Sequence, residues 1–449
     1  MIWAIAFMLF AAACSILAFA RHPIFGVYFY LASIYVHPPS RWWGYMVPDL
    51  RWSFLSAAIV ILAVVLHRGR LSAKPIWLSN APATLLTAYC IWMWIQTPWA
   101  LDFETHVAGS VQWLKYLVAF WFIYRIVDTK EKLADLLLAH SAGCALLGVY
   151  AQFTGRDGGR LDGVGGPGMD DSNTLAMYLA TGVVVCVALV LALKGWRRWF
   201  ALLMLPVIMN GFVLANSRGA FLGLAAGMLV VALCKARQHR GLFWGFVFVG
   251  MIGSAVIVDK AFVDRMLTIG DVADRDNEEA DMSARSRVVI YEAQAKMAAD
   301  YPMGVGFRGT VVLSPRYLDP RWLTRLDATS DAAGRSSHNT FMTTLVEQGI
   351  LGALMFIALV IWLLRSVLKV RQLSANGLDP TLATLGGALC GALLVVIVAG
   401  SATDYLMVEV QFWLYAGLVS MFQLAEAAMP QGRRAGSLPG VGRFEPAGQ

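Results

Sequence analysis

The chain has 449 residues, of which 58% are hydrophobic and only 14% charged, and its mean hydropathy is +0.61. That composition excludes a soluble multi-domain enzyme and makes lipid the solvent for most of the chain. The net charge of +7 is what basic flanks on one side of membrane helices produce, so no nucleic-acid partner is expected.

Apolar runs recur near residues 2–20, 24–37, 52–67, 82–99, 110–127, 133–152, 173–193, 199–215, 219–234, 241–258, 339–364, 381–400 and 405–425. A helix must satisfy its own backbone in lipid, and a core of about 30 Å needs about 20 residues. Helices are therefore the default element, and about twelve spans are expected, with 24–37 short for a crossing. The stretch Met1 to Ala20 has no basic n-region and is followed almost at once by the next run, so it reads as a retained segment and not a cleaved leader. Cys14, Cys90, Cys144, Cys186, Cys234 and Cys390 all lie inside apolar runs without metal-ligand spacing. They read as small core hydrophobes.

Lys and Arg orient the runs. Basic loops at Arg68/Arg70/Lys74, Arg125/Lys130/Lys132, Lys194/Arg197/Arg198, Lys235/Arg237/Arg240 and Arg365/Lys369/Arg371 alternate with loops that carry no basic cluster. The basic set, with a Gly/Pro-rich tail, belongs on the cytoplasmic side of the membrane. The other set faces outward: the Asp102/Glu104 loop, the Gly-rich loop 153–172, the turn at Asn216 to Gly219, the long stretch 259–338 and the turn at Ser401 to Asp404. This divides the chain into an N-terminal transmembrane bundle (1–258), an outward-facing loop domain (259–338), C-terminal transmembrane helices (339–427) and a disordered tail (428–449). Within the loop domain, Ser286 to Ala299 reads as an amphipathic helix burying Val289, Ala293 and Met297 and stopping before Pro302. The run from Asn339 through Glu347 to Leu364 reads as one long helix.

Candidate chemistry lies in the outward loops. Arg218 sits in a tight turn beside a fresh helix N-terminus, where free N–H groups attract anions; its structural alternative is a snorkelling side chain. Arg285 and Arg287 fall at the start of the amphipathic helix, where guanidinium forks and helix dipole point at the same anion; the alternative is pairing with the acidic run Asp271 to Asp281. Arg156 and Arg160 precede Gly163-Val-Gly-Gly-Pro-Gly168, a flexible connector or an N–H nest for phosphate oxygens. Among the seven histidines, His338 opens a membrane run amid polar residues, next to Asn339, a good N-cap. Glu347 reads as glue between helices, and Asp404 as a group that orients an arginine or the histidine. Gathered arginines suit a lipid-linked pyrophosphate, and a neutral histidine suits a base toward a hydroxyl. No compact carboxylate or His cluster suggests a metal or other cofactor.

The runs Asn216 to Leu224 (NSRGAFLGL), Ser286 to Gly309 (SRVVIYEAQAKMAADYPMGVGFRG) and His338 to Gly352 (HNTFMTTLVEQGILG) together resemble the O-antigen ligase and O-antigen polymerase (Wzy-like) family of bacterial envelope glycosyltransferases. The resemblance covers residues 160–420 and is sharpest over 205–355. It implies an all-α polytopic membrane protein, GT-C-like, with one large periplasmic loop domain. It also implies metal-independent, inverting transfer of a glycan from undecaprenyl pyrophosphate to a lipid A core hydroxyl. Arg218, Arg287, Arg285 and Arg160 would bind the pyrophosphate, His338 would act as base, and Asn216, Asn339 and Asp404 would support them. Two positions depart from the family pattern: Tyr291, where relatives often carry Trp, and Asp171-Ser172-Asn173, often Asn-Pro-Asn. The loop His37 to Tyr45 (HPPSRWWGY) is similar to ligase-like proteins associated with exosortase systems, which keeps a protein acceptor open beside lipid A core and a second lipid-linked repeat. A lipid-linked sugar transporter should carry ionisable groups deep in several helices, and here they gather at one face.

Overall fold

The computed structural model describes residues 1–155, 161, 163–235, 237–245, 247–248, 263, 278–325 and 333–428, with the backbone alone at 237, 278–287 and 325. Expectations for Arg156, Arg160, residues 249–258, most of the acidic run and the tail lie outside the described residues.

The described chain is helical nearly throughout. In order come α1 (Ile2–Ala20), α2 (Ile24–Val36), α3 (Trp52–Leu66), α4 (Ala81–Gln96), α5 (Phe103–Ile126), α6 (Lys130–Thr154), α7 (Ser172–Ala192), α8 (Gly195–Ala215) and α9 (Arg218–Cys234). Then follow α10 (Glu278–Asp300), α11 (Gly309–Tyr317), α12 (Thr340–Glu347), α13 (Gly349–Ala375), α14 (Pro380–Ala399) and α15 (Val410–Ala427). Two-residue strands Thr324–Arg325 and Ala333–Gly334 pair antiparallel. Among the described residues, α1, α6, α7, α8, α13 and α14 are long and apolar enough to cross a membrane. The 13 residues of α2 rise only about 20 Å, short of the hydrocarbon core.

Burial follows sequence pattern. The span of α7 is 94% buried and that of α14 89%, as expected for helices that are apolar all round. They form the centre against which α6, α8, α9 and α15 pack. All six cysteines are free and buried. A separate aromatic cluster of Phe7, Phe29, Trp43 and Trp52 ties α1, α2 and the following loop together, with Phe7 and Trp52 edge to face at 5.1 Å.

The bundle has two chemically distinct ends. At one, Lys130 pairs with Asp379 at 2.7 Å, Lys132 with Asp128 at 2.5 Å and Arg197 with Asp135 at 2.9 Å. There too Lys74 Nζ donates to the carbonyls of Tyr124 and Val127, both at 2.6 Å, closing the end of α5. The basic loops thus share one end. At the other end sits a cap built from α10, α11 and the short hairpin, whose core of Ile290, Ala293, Met297, Val305, Leu313 and Leu318 also includes Val346 of α12.

Two boundaries differ from the sequence reading. The cap helix begins earlier than expected, at Glu278, so Arg285 and Arg287 lie in its body and not at its N-terminal turn. The run from Asn339 is not one helix: it breaks at Gln348, and α13 continues to Ala375, carrying Arg365, Lys369 and Arg371 on its last turns. The break is a lock. Val305 N–H donates to Val346 O at 3.2 Å and Gly306 N–H to Glu347 O at 2.9 Å, while Ile350 N–H donates to Pro302 O at 2.9 Å. Trp92 Nε1 donates to Gln348 O at 2.7 Å and Gln96 Nε2 to Glu347 O at 3.1 Å. The carbonyls of Val346, Glu347 and Gln348 at the interruption are therefore met, as burial requires. Close backbone approach demands glycine here: Gly304 (φ +79°) and Gly349 (φ +66°) face each other, and a Cβ on Gly304 would stand 2.5 Å from Gly349 N.

Candidate active site at the cap end

Three segments converge where α7, α9 and α12 begin. Asn216 ends α8 in the left-handed conformation (φ 52°, ψ 51°), which asparagine tolerates better than most residues. It is buried, and its Oδ1 has no hydrogen-bond partner among the described residues. Ser217 then caps α9 through Ala220 N–H, and its hydroxyl donates to Asn173 Oδ1 at 2.9 Å. Arg218 follows as the first residue of α9, half-buried, as expected for an arginine at a helix N-terminus. Asp171 caps α7, accepting from Asn173 N–H at 2.9 Å and Thr174 N–H at 3.1 Å.

The second segment is Ser337 to Thr340. Asn339 is the N-cap of α12: its Oδ1 accepts from Phe341 N–H at 2.9 Å and Met342 N–H at 3.2 Å. The amide group of the same side chain donates to Ser401 O at 3.1 Å. Ser337 Oγ accepts from Asn339 N–H at 3.2 Å. His338, half-buried, thus projects from backbone fixed on both sides.

The third segment is the turn between α14 and α15. Thr340 N–H donates to Gly400 O at 2.7 Å, and a Cβ added to Gly219 would meet Ala402 Cβ at 3.0 Å. The same turn therefore touches both the start of α9 and the start of α12. Asp404 in this turn is half-buried and accepts from Leu406 N–H at 3.0 Å. Burial pushes its carboxyl up to about 6, opposed by the Leu406 amide, the Thr343 hydroxyl and the charge of Arg308. From the cap, Tyr291 OH donates to Ser401 O at 3.5 Å.

The structure thus brings the backbones of Asn216, Arg218, His338, Asn339 and Asp404 to one place. Arg285 and Arg287 lie on α10, the helix that carries Tyr291 to the same turn, and Arg160 lies outside the described residues. Among the described residues no three His, Cys, Asp or Glu side chains gather as a metal-binding group.

Sequence reasoning passed over two residues that hold the cap down. His106 is fully buried; its Nε2 lies 2.7 Å from Met93 O and its Nδ1 accepts from Phe307 N–H at 2.9 Å, which fixes the neutral tautomer with the proton on Nε2. Arg308, left-handed at φ 65°, starts α11, and the Glu347 carboxyl lies against the N–H groups of Arg308 and Thr310. Glu347 is glue as expected, but between cap and bundle. A positive φ at a non-glycine residue between Gly306 and Gly309 gives no signal in sequence.

Residues 207–357 match the family model described as O-antigen ligase. No curated protein matches the chain. The matched stretch contains Arg218, the described cap and the Asn339 to Glu347 helix, so it covers two of the three converging segments. Residues 207–357 are thus similar to the O-antigen ligase, Wzy-like family.

Proposed function

We propose that this protein is a glycosyltransferase of the bacterial inner membrane, GT-C-like with about twelve spans, whose site faces the periplasm. It transfers a glycan from undecaprenyl pyrophosphate to a hydroxyl of lipid A core. The observation that carries this reading is the convergence of Arg218, His338 and Asp404 on one turn inside and beside the family-matched stretch. The proposed units are the N-terminal bundle 1–258, the loop domain 259–338, the helices 339–427 and the tail 428–449.

In this reading Arg218 and Arg287, assisted by Arg285 and Arg160, bind the pyrophosphate, since a guanidinium fork matches phosphate oxygens in pairs. The N-terminus of α9 adds its dipole at Arg218. His338 accepts the proton of the acceptor hydroxyl as that oxygen attacks the anomeric carbon and the bond to pyrophosphate breaks, with inversion. The arginines take up the charge that develops on the leaving group. Asn216 and Asn339 hold the two segments, and Asp404 orients the charged side chains between them.

The test is transfer by purified protein from an undecaprenyl pyrophosphate glycan, with lipid A core, a peptide and a second lipid-linked repeat offered separately. Product on lipid A core alone supports ligation. Product on the second repeat identifies a polymerase, and product on the peptide a protein O-oligosaccharyltransferase. Movement of the donor across a vesicle membrane without transfer to any acceptor would overturn the reading in favour of transport.

A further inference from the structure

Arg41 lies far from the family-matched stretch, on the loop between α2 and α3, yet it is 8% exposed. Its guanidinium donates from Nε to Val36 O at 2.5 Å, from Nη2 to Tyr35 O at 3.1 Å and from Nη1 to Val164 O at 2.6 Å. Its Cζ stands 3.9 Å over the ring of Tyr150 on α6. No carboxylate within ion-pair distance is seen among the described residues; three carbonyls and an aromatic face carry the buried charge. A buried cation so compensated is costly to place and needs all its partners.

What those bonds join is specific. Two of the carbonyls end α2, and the third belongs to the Gly-rich loop. That loop is closed by Gly163 N–H donating to Asp170 O at 2.7 Å. It is also pressed on the same segment at Gly166, where an added Cβ would stand 2.6 Å from His37 Cγ. The next residue, Asp171, caps α7; Asn173, in the first turn of α7, accepts from Ser217, which caps α9 immediately before Arg218. An unbroken series of hydrogen bonds and short covalent steps runs from Arg41 to the backbone of Arg218.

We propose that Arg41 is a positioning residue of the donor site: by fixing the Gly-rich loop at Val164 it sets the Asp171–Asn173 start of α7, on which Ser217 and therefore Arg218 rest. This rests on the reading of Arg218 as a pyrophosphate ligand. Arg41 touches neither donor nor acceptor; it acts through geometry, and its replacement weakens donor binding more than turnover. Lysine cannot replace it, because one ammonium cannot reach three divergent carbonyls while keeping a flat face on Tyr150.

The experiment compares wild type, Arg41→Lys, Ser217→Ala, the double variant, Tyr150→Leu and Arg218→Ala as purified full-length proteins. The readouts are binding of undecaprenyl pyrophosphate, donor KM and kcat, and amide exchange of the peptide spanning 161–175. Arg41→Lys should raise donor Kd and KM about tenfold, the scale of one lost charge-assisted hydrogen bond, change kcat less than about twofold, and speed exchange in that peptide. Tyr150→Leu, which removes only the stacking face, should act in the same direction more weakly. The double variant should be clearly less impaired than the product of the single effects, because both act along one path. Unchanged donor binding in Arg41→Lys and Tyr150→Leu, or multiplicative effects in the double variant, would overturn the proposal. If Arg218→Ala still loses donor binding in that case, the functional reading stands and the Arg41 role alone fails; if wild type itself binds no lipid pyrophosphate, the functional reading fails first.

Discussion

The hydroxyl of Thr340 accepts from Tyr405 N–H at 2.8 Å and donates to Thr403 O at 3.0 Å, so the first residue of α12 is bolted across the turn that carries Asp404. His338 and Asp404 stand on opposite sides of this bolt, two residues before Thr340 and one before Tyr405. These two bonds, with those from Thr340 N–H to Gly400 O and from the Asn339 side-chain amide to Ser401 O, set their relative placement.

Thr340→Val keeps the shape and removes both bonds, leaving Tyr405 N–H and Thr403 O buried without that partner. A loss of about 1–3 kcal/mol is expected, with a lowered Tm and a marked drop in transfer. Thr340→Ser should retain both. Equal melting and equal transfer for Thr340→Val and wild type would show that the turn is held by other contacts.

The cap lock makes a sharper stability prediction. Gly304→Ala and Gly349→Ala each place a Cβ 2.5 Å from backbone atoms that cannot yield, at φ +79° and +66°, and each should cost more than about 2 kcal/mol. Gly377→Ala is the control, with φ +85° and nothing within 4 Å; left-handed strain alone costs about 1–2 kcal/mol. Thermal melting in detergent ranks the three variants, and Gly377→Ala as damaging as the others would remove the steric argument.

Much of this was legible in sequence, and the exceptions have physical causes. Apolar length and the alternation of basic loops gave the helices and their two ends, because lipid imposes both. Asn339 was readable as the cap beside His338, and Arg218 as lying at a fresh helix start. The break at Gln348 was not: VEQGILG is apolar enough to continue a helix, and only the docking of residues 302–306, distant in the chain but adjacent in space, makes an interruption affordable. The N-terminal extension of α10 to Glu278 was missed because its first turns carry Glu278, Glu279 and Asp281 and lack an apolar stripe, although acidic residues suit a helix start. His106 and Arg41 looked ordinary because their partners are backbone atoms of distant segments.

Asp404 predicts a pH dependence of stability. Its carboxyl is raised by burial to about 6 in the folded protein, against about 3.9 in an unfolded chain. Between those values the folded state holds the extra proton, so this contribution is full below about pH 4 and is lost as pH rises through 6. Asp404→Asn removes the titration. The variant should therefore gain in Tm relative to wild type from pH 4.5 to 7.5, and an unchanged difference across that range would place Asp404 in water.

Transfer should be indifferent to chelation, because guanidinium groups are assigned the charge on the leaving pyrophosphate. Activity lost in EDTA and restored by Mg²⁺ or Mn²⁺ would reassign that role, with Asp404 and the Asp170/Asp171 pair the first groups to test.

The most direct measurement is donor binding and single-turnover transfer by purified wild type, Arg218→Ala, Arg218→Lys and His338→Ala. His338→Ala should bind the undecaprenyl pyrophosphate glycan as wild type does yet lose about 10²- to 10⁴-fold in transfer, the usual contribution of a general base. Arg218→Ala should lose the donor itself, and Arg218→Lys should recover little of it. Near-full transfer by His338→Ala, or loss of donor binding in His338→Ala with normal binding in Arg218→Ala, would contradict the assignment of base and pyrophosphate ligand.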